Sequence, residues 1–273
     1  MGRLLSAMIR ALALCLSLLI PLAALAEPLP GPDALRGADV VILGEVHDNP
    51  AHHQWQAEAL AVLSPAAVVF EMLTPGQAGR ITPELLAEPE RLASVLEWEA
   101  SGWPDFALYQ PVFAALGQAV VYGAALPYGE VRAAVAEGAA ARFAGDAVRF
   151  GLTGALPQDQ QTLREALQAE AHCDALPPEL LPGMVEAQRL RDAAFARTVL
   201  QALAETGGPV VLITGNGHAR TDWAVPAMIA LAAPDVAVVS VGQLEEPAGE
   251  ERPFDYWRVT EPAPREDPCA AFR

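Results

Sequence analysis

The feature that most constrains this chain is a set of short runs that are apolar at nearly every position. Residues 39–43, 67–70, 119–124, 209–213 and 236–241 are rich in Val and Ile and almost unbroken. A strand with one face in water alternates apolar and polar residues, so an unbroken run implies a strand covered on both faces. Helical patterns fall between the runs. Asn49 followed by Pro50 makes an N-cap and first-turn pair, opening a helix to about Leu63. Residues 127–143 and 179–205 also read as helical. Strands alternating with helices predict an α/β fold, a mostly parallel sheet flanked by helices and wound by right-handed crossovers. In 83–115 and 157–205, helices follow one another with no strand between, which predicts insertions forming a helical subdomain over one edge of the sheet. The Pro- and acid-rich stretches 245–252 and 261–268 read as loop.

The amino terminus bears on compartment. Arg3 and Arg10 precede the apolar run 11–24, and Ala24-Leu25-Ala26 puts small residues where a signal peptidase reads. We read 1–26 as a cleaved secretory signal and 27–273 as the mature domain, periplasmic or secreted. Two alternatives fit less well. A transmembrane anchor is opposed by Pro21 and by the shortness of the run against the roughly 20 residues a span needs. A lipoprotein would use Cys15, but Leu14 is a poor residue before a lipidated cysteine. Acidic residues outnumber basic ones 34 to 17, every basic residue is Arg, and the net charge is −17. That charge argues against nucleic acid and against docking on an anionic membrane. Cleavage would leave Cys173 and Cys269 as the only cysteines. In an oxidising compartment they are expected to pair, the alternative being two separate thiols.

Two of the apolar runs end alike. "VVILGEVH" closes on Gly44-Glu45-Val46-His47, and "VVLITGNGH" on Gly215-Asn216-Gly217-His218. Ligands of parallel α/β sheets sit beyond the carboxyl ends of the strands, so both histidines are aimed at the expected site. Glycine there lets the backbone turn sharply and approach a ligand. If Glu45 to His47 stays extended, their side chains share one side, giving a carboxylate beside an imidazole that can bind a divalent metal or pass a proton. Asp48 continues the same wall. A third run, "AVVFE", ends in Glu71, and Asp222 lies one helical turn after His218, placed to orient that imidazole. His47, Glu71 and His218 are the candidate metal ligands. Singly, each reads as readily as a structural residue; the coincidence of three strand ends is what points to a site.

Other residues in the same stretches carry weaker signals. The spacing of His47 and His52 across Pro50 excludes the HExxH zinc helix. His52 shares a helix face with Trp55, Gln56 and Ala59 and is expected against the sheet, with His53 nearer solvent. Met184, Gln188 and Asp192 fall on one helical stripe, which reads either as a cavity wall or as the margin of a packed helix.

Three segments, "LGEVHDNPAHH", "HCDALPPELLPGMVEAQRLRDAAFA" and "GNGHARTDWAVP", together resemble the ChaN-like haem-binding uptake family of the Tiki superfamily, which also includes TraB proteins, Tiki proteases and erythromycin esterases. The match is collinear from about Val40 to Val241. The resemblance implies an exported α/β domain tied to haem or iron acquisition, with haem ligated by tyrosine and paired across a homodimer. Tyr109, Tyr122, Tyr128 and Tyr256 are the available tyrosines; none lies in a segment that matches the family's ligand, and Tyr128 in "LPYGEVR" is the first candidate. The superfamily's hydrolases use G-x-x-H and Glu-His pairs, which Gly44/His47, Gly215/His218 and Glu45 match. The leading expectation is therefore an exported haem- or iron-binding protein, its small-molecule ligand held beyond the strand ends. The alternative is a metal-dependent hydrolase with Glu45 and His47 as catalytic residues, and a third reading is a scaffold whose polar strand ends only hold loops together.

Overall fold

The computed structural model describes residues 27–29, 31–246 and 252–270. The leader expected over 1–26 lies outside the described residues. Seven strands form one sheet: β1 Glu27–Pro28, β2 Val40–Glu45, β3 Ala67–Phe70, β4 Val120–Gly123, β5 Val210–Gly215, β6 Val238–Leu244 and β7 Tyr256–Val259. Their order is β1-β7-β6-β2-β5-β3-β4, and every neighbouring pair runs parallel. Six strands have four residues or more; β1 is a two-residue edge. Among the described residues, the helices of seven or more residues are α1 Pro50–Leu63, α2 Pro89–Val95, α3 Phe106–Ala114, α4 Tyr128–Glu137, α5 Gln158–Ala171, α6 Leu181–Thr206 and α7 Val225–Ala232.

The unbroken apolar runs follow from cores on both faces of this sheet. Successive strand side chains point to opposite faces. Val41, Leu43, Phe70 and Ile213 pack beneath α1 and α3, while Val40, Ile42, Val69 and Leu212 pack beneath α6 and α7. Burying each such side chain is worth roughly 1.5–3 kcal/mol, and the one polar side chain inside the last of these runs, Ser240, is buried with its hydroxyl bonded to the Ala219 carbonyl. Asn49 caps α1 as expected, its Oδ1 accepting from the Ala51 amide at 2.9 Å. The helix read over 127–143 is instead two pieces, α4 and the turn Ala139–Arg142, broken at Gly138 with φ 86°. Strand β7 falls between the two stretches read as loop, pairing with β6 and β1.

Helices α5 and α6 pack side by side. The turn after α5 carries Cys173, which forms a disulfide with Cys269, the Cα atoms 5.4 Å apart. Arg265 in the same tail pairs with Asp48 and Glu245, fixing the tail beside the outlet of β2. Among the described residues, no helix is long and apolar enough to cross a membrane. Strand β2 lies between β5 and β6, and β5 lies between β2 and β3, so the carboxyl ends of β2, β5 and β3 stand next to one another.

Candidate functional site

Parity places the first carboxylate. Glu45 lies two residues beyond Leu43 and so faces α1 and α3, where it is buried. There it accepts from Tyr109 Oη at 2.6 Å and from Gln56 Nε2 at 2.7 Å. The chain does not stay extended after it. Val46 to Asn49 form a turn closed by the Asn49 amide on the Val46 carbonyl at 3.0 Å. The turn nonetheless returns His47 to its neighbour, with Nδ1 at 2.7 Å from Glu45 Oε1. Burial pushes the Glu45 carboxyl up, but the His47 hydrogen bond, the nearby His47 and His53 rings and the Tyr109 hydroxyl outweigh it and hold it below the ordinary range. Burial works against protonation of His47, and the hydrogen bond and charge of Glu45 reverse that, raising its pKa.

The second carboxylate faces the other way. Glu71 follows Phe70 on β3 and points towards α6. Its Oε2 accepts from Thr214 Oγ1 at 2.6 Å and from the Gly215 amide at 2.8 Å, and its Oε1 from Arg191 Nη2 at 2.5 Å. Burial raises this carboxyl too, but His218, Arg191 and His47 together with the Thr214 bond bring it down to about 2. His218 sits in the short helical turn Asn216–Ala219 that leaves β5. Its Nδ1 meets Asp192 Oδ1 at 2.6 Å and its Nε2 lies 3.7 Å from Glu71 Oε1. Two imidazoles are thus each tethered through Nδ1 to a buried carboxylate.

The two G-x-x-H segments interlock through their glycines. A Cβ on Gly215 would lie 2.8 Å from His47 Nε2 and 3.8 Å from Glu71 Oε2, so the missing side chain gives the imidazole its place. A Cβ on Gly44 would lie 2.5 Å from Asn216 Oδ1. Asn216 passes over Gly44 to reach β6, exchanging two hydrogen bonds with the Gln243 backbone at 2.6 and 3.0 Å. Each segment's glycine makes room for a side chain of the other.

Between these groups lies a cavity of about 600 Å³, lined by Glu45, His47, Glu71 and His218 together with α5, α6 and the indoles of Trp103 and Trp223. The structure brings four of the expected residues into this one space, along with Gln188 and Asp192 from α6. Others lie elsewhere. Asp222 forms a bidentate pair with Arg220, and Asp192 from α6 takes the position beside His218 that was expected of Asp222. Asp48 faces the tail and pairs with Arg265. Met184 is not part of the lining, and Tyr128, at the first turn of α4, is 78% exposed and also outside it. His53 is fully buried rather than near solvent, because it turns to the end of β2 and α3 closes over it; its Nε2 lies 2.9 Å from the His47 carbonyl and its ring 4.1 Å from that of Tyr109. His52 is buried between the Val46 amide and Thr260 Oγ1, and burial pulls its pKa down to about 4.

The expected metal set His47, Glu71 and His218 shares the cavity, but both imidazole Nδ1 atoms are engaged with Glu45 and Asp192, and the Glu71 oxygens with Thr214, Gly215 and Arg191. Among the described residues no group of three His, Cys, Asp or Glu side chains is arranged to hold a metal ion. Arg164 and Arg191, both lining the cavity, were missed by the sequence reading. Arg191 stands out among Ala187, Ala194 and Phe195, but nothing marks Arg164, whose helix neighbours Gln160, Gln161 and Gln168 are themselves polar.

Residues 32–229 match the family described as haem-binding uptake, Tiki superfamily, ChaN. Among solved structures, the chain resembles ChaN of Campylobacter jejuni, which binds haem cofacially, at 19% identity with a TM-score of 0.59, covering 83% of this chain and 89% of that one. A lower likeness, TM-score 0.44 at 14% identity, links it to the type III effector HopBA1, over 83% of this chain and 90% of that one. No curated protein sequence matches the chain as a relative.

Proposed function

Because the chain belongs to the haem-binding uptake family of the Tiki superfamily that includes ChaN, we propose that it is an exported haem-binding protein of iron acquisition, holding haem in the cavity beyond β2, β5 and β3. The observation that carries this reading is the pair of imidazoles whose Nδ1 atoms are fixed by Glu45 and Asp192. A carboxylate on one ring nitrogen sets the tautomer and raises the basicity of the other, as it does for metal-bound histidines. His47, its side chain 32% exposed, would be the better donor to haem iron, since His218 Nε2 is confined beside Glu71. Bound haem would supply the iron that accepts this nitrogen, and Trp103, Leu167 and Trp223 offer its ring apolar surface. The cavity is of ordinary size for a small-molecule site.

Tyrosine ligation has less support. A phenolate must lose its proton to bind iron, whereas burial and the charge of Glu45 push the Tyr109 hydroxyl far up. Tyr122, Tyr128 and Tyr256 lie outside the lining. A metal-dependent hydrolase is likewise the weaker reading, since no three donors stand ready for a metal ion among the described residues.

Titration of the purified mature chain with haemin tests the proposal. A sharp, saturable Soret band is expected, with affinity lowered at least about tenfold by His47→Ala, in line with loss of one liganding interaction, and less by His218→Ala. A wild-type protein that leaves the haemin spectrum unchanged would overturn the haem reading. A Soret band unaltered by His47→Ala would move the axial ligand elsewhere.

A further inference from the structure

Helix α5 lines the cavity beside Asp192, the partner of His218, and holds a cation with few partners. Arg164 is 6% exposed and lines the cavity. Its Nη2 donates to the Trp223 carbonyl at 3.2 Å and stands 3.8 Å from Asp192 Oδ2, too far for a hydrogen bond. A guanidinium has five N–H donors, and the Trp223 carbonyl takes one of this one's. The acidic groups nearby are already engaged: Asp192 holds His218 and Asp222 holds Arg220. Burial draws the Arg164 pKa down, with Asp192 pulling it back. A buried charge so weakly compensated is destabilising unless an anion arrives.

Two neighbours complete the wall. Gln168, one helical turn after Arg164, also lines the cavity, and its Oε1 is buried with no hydrogen-bond partner among the described residues. With Oε1 turned inward, the other branch of the amide, Nε2, carries the two N–H donors it can offer a ligand. The Trp223 indole is held by two guanidiniums, Arg220 at 3.8 Å and Arg164 at 5.2 Å from its ring centre.

We propose that Arg164 and Gln168, over the Trp223 ring, form a carboxylate-binding subsite that receives an anionic arm of the cavity's ligand. The subsite rests on the haem reading, and there the arm is a propionate. Arginine meets a carboxylate with two parallel N–H···O bonds, which fixes orientation as well as adding affinity. The iron would then be met from the β2 edge and the propionate from α5, so the two ends of the ligand are recognised by different walls.

The test compares haemin with haemin dimethyl ester, in which both propionates are blocked, by absorbance titration of the full mature chain. Wild type is expected to bind the free acid at least about tenfold tighter than the diester, the effect of one charge-assisted hydrogen bond. Arg164→Met, which keeps the buried stem, should abolish that preference while leaving the Soret maximum where it is. Gln168→Leu removes an unpaired group, so it should fold normally and lower the preference severalfold; it decides the matter if Arg164→Met does not fold. Equal wild-type affinity for acid and diester would end the subsite and leave the haem reading intact. Both variants keeping the wild-type ratio would also end it. Absence of a Soret band with either compound would remove the subsite and the haem reading together.

Discussion

Gly215→Ala adds one methyl group to a backbone that accepts it, since Gly215 has φ −63° and ψ 151°. The new Cβ would lie 2.8 Å from His47 Nε2 and 3.2 Å from Cε1. Carbon contacts settle at about 3.5–4.0 Å, so the ring must retreat by roughly 1 Å. It has somewhere to go, being 32% exposed at the cavity mouth, but retreat takes Nδ1 away from Glu45, which it meets at 2.7 Å. Overpacking of this kind costs about 1–3 kcal/mol, and a hydrogen bond to a charged group is worth about 1.5–3 kcal/mol. Because swinging the ring outward avoids most of the first cost, we expect a net loss of about 2 kcal/mol, seen as a melting temperature lower by roughly 4–8 °C. Gly217→Ala is the internal control, for a Cβ there meets nothing within 4 Å; its melting temperature should match or exceed that of wild type. Circular dichroism melts and haemin titrations read both effects, and Gly215→Ala should bind haemin at least about tenfold more weakly. A Gly215→Ala protein that melts and binds like wild type would refute the packing argument. One that is destabilised yet binds normally would show that His47 is not the axial donor.

Two further outcomes follow from the same geometry. The Glu71 carboxyl is held at about 2 against an ordinary 4.5, so it contributes stability above pH 4.5 that is lost as pH falls towards 2. The expected loss is about 3 kcal/mol. Urea midpoints measured down to about pH 3 should fall steeply for wild type and more gently for Glu71→Gln; parallel curves would contradict this. The raised pKa of His47 has the opposite sense, keeping a proton on the ring above its ordinary 6.5, so haemin affinity should weaken as pH falls through that region if His47 is the donor. Closing the 96-residue separation between Cys173 and Cys269 is worth roughly 4–5 kcal/mol in the chain-entropy model. Cys269→Ser, or reductant added to wild type, should lower the melting temperature substantially, and a shift of no more than a degree would show that the tail contributes nothing.

The central strands were legible because they are buried on both faces, which leaves unbroken Val and Ile runs from Val40, Ala67 and Val210. Strand β7 was not, since Tyr256, Trp257 and Arg258 are only half-buried and leave neither an unbroken run nor a clear alternation. The gathering of Glu45, His47, Glu71 and His218 was legible from topology alone, because parallel strands deliver their carboxyl ends to one edge. Their partners were hidden. Asp192 and His218 meet across the seam between α6 and the end of β5, and no local spacing announces such a pair, whereas Asp222, the neighbour in sequence, turns to Arg220. His53 was misplaced for a related reason: a helical wheel does not show that the turn after β2 and helix α3 will close over that flank of α1. Tyr109 could be counted from the sequence, but not its bond to a carboxylate 64 residues away.

The order of the sheet has a consequence for how the molecule comes into being. Strand β2 bonds only to β5 and β6, and both are made long after it. While the ribosome adds the intervening residues, at roughly 5–20 per second, β2 waits with both edges unpaired, a Val- and Ile-rich template for any other extended chain. Its partners arrive only with residues 210–244, so nascent chains and truncations that stop earlier carry this apolar strand without either of its protectors. A folding helper that shields residues 40–45 until the last strands emerge would raise the yield of native protein.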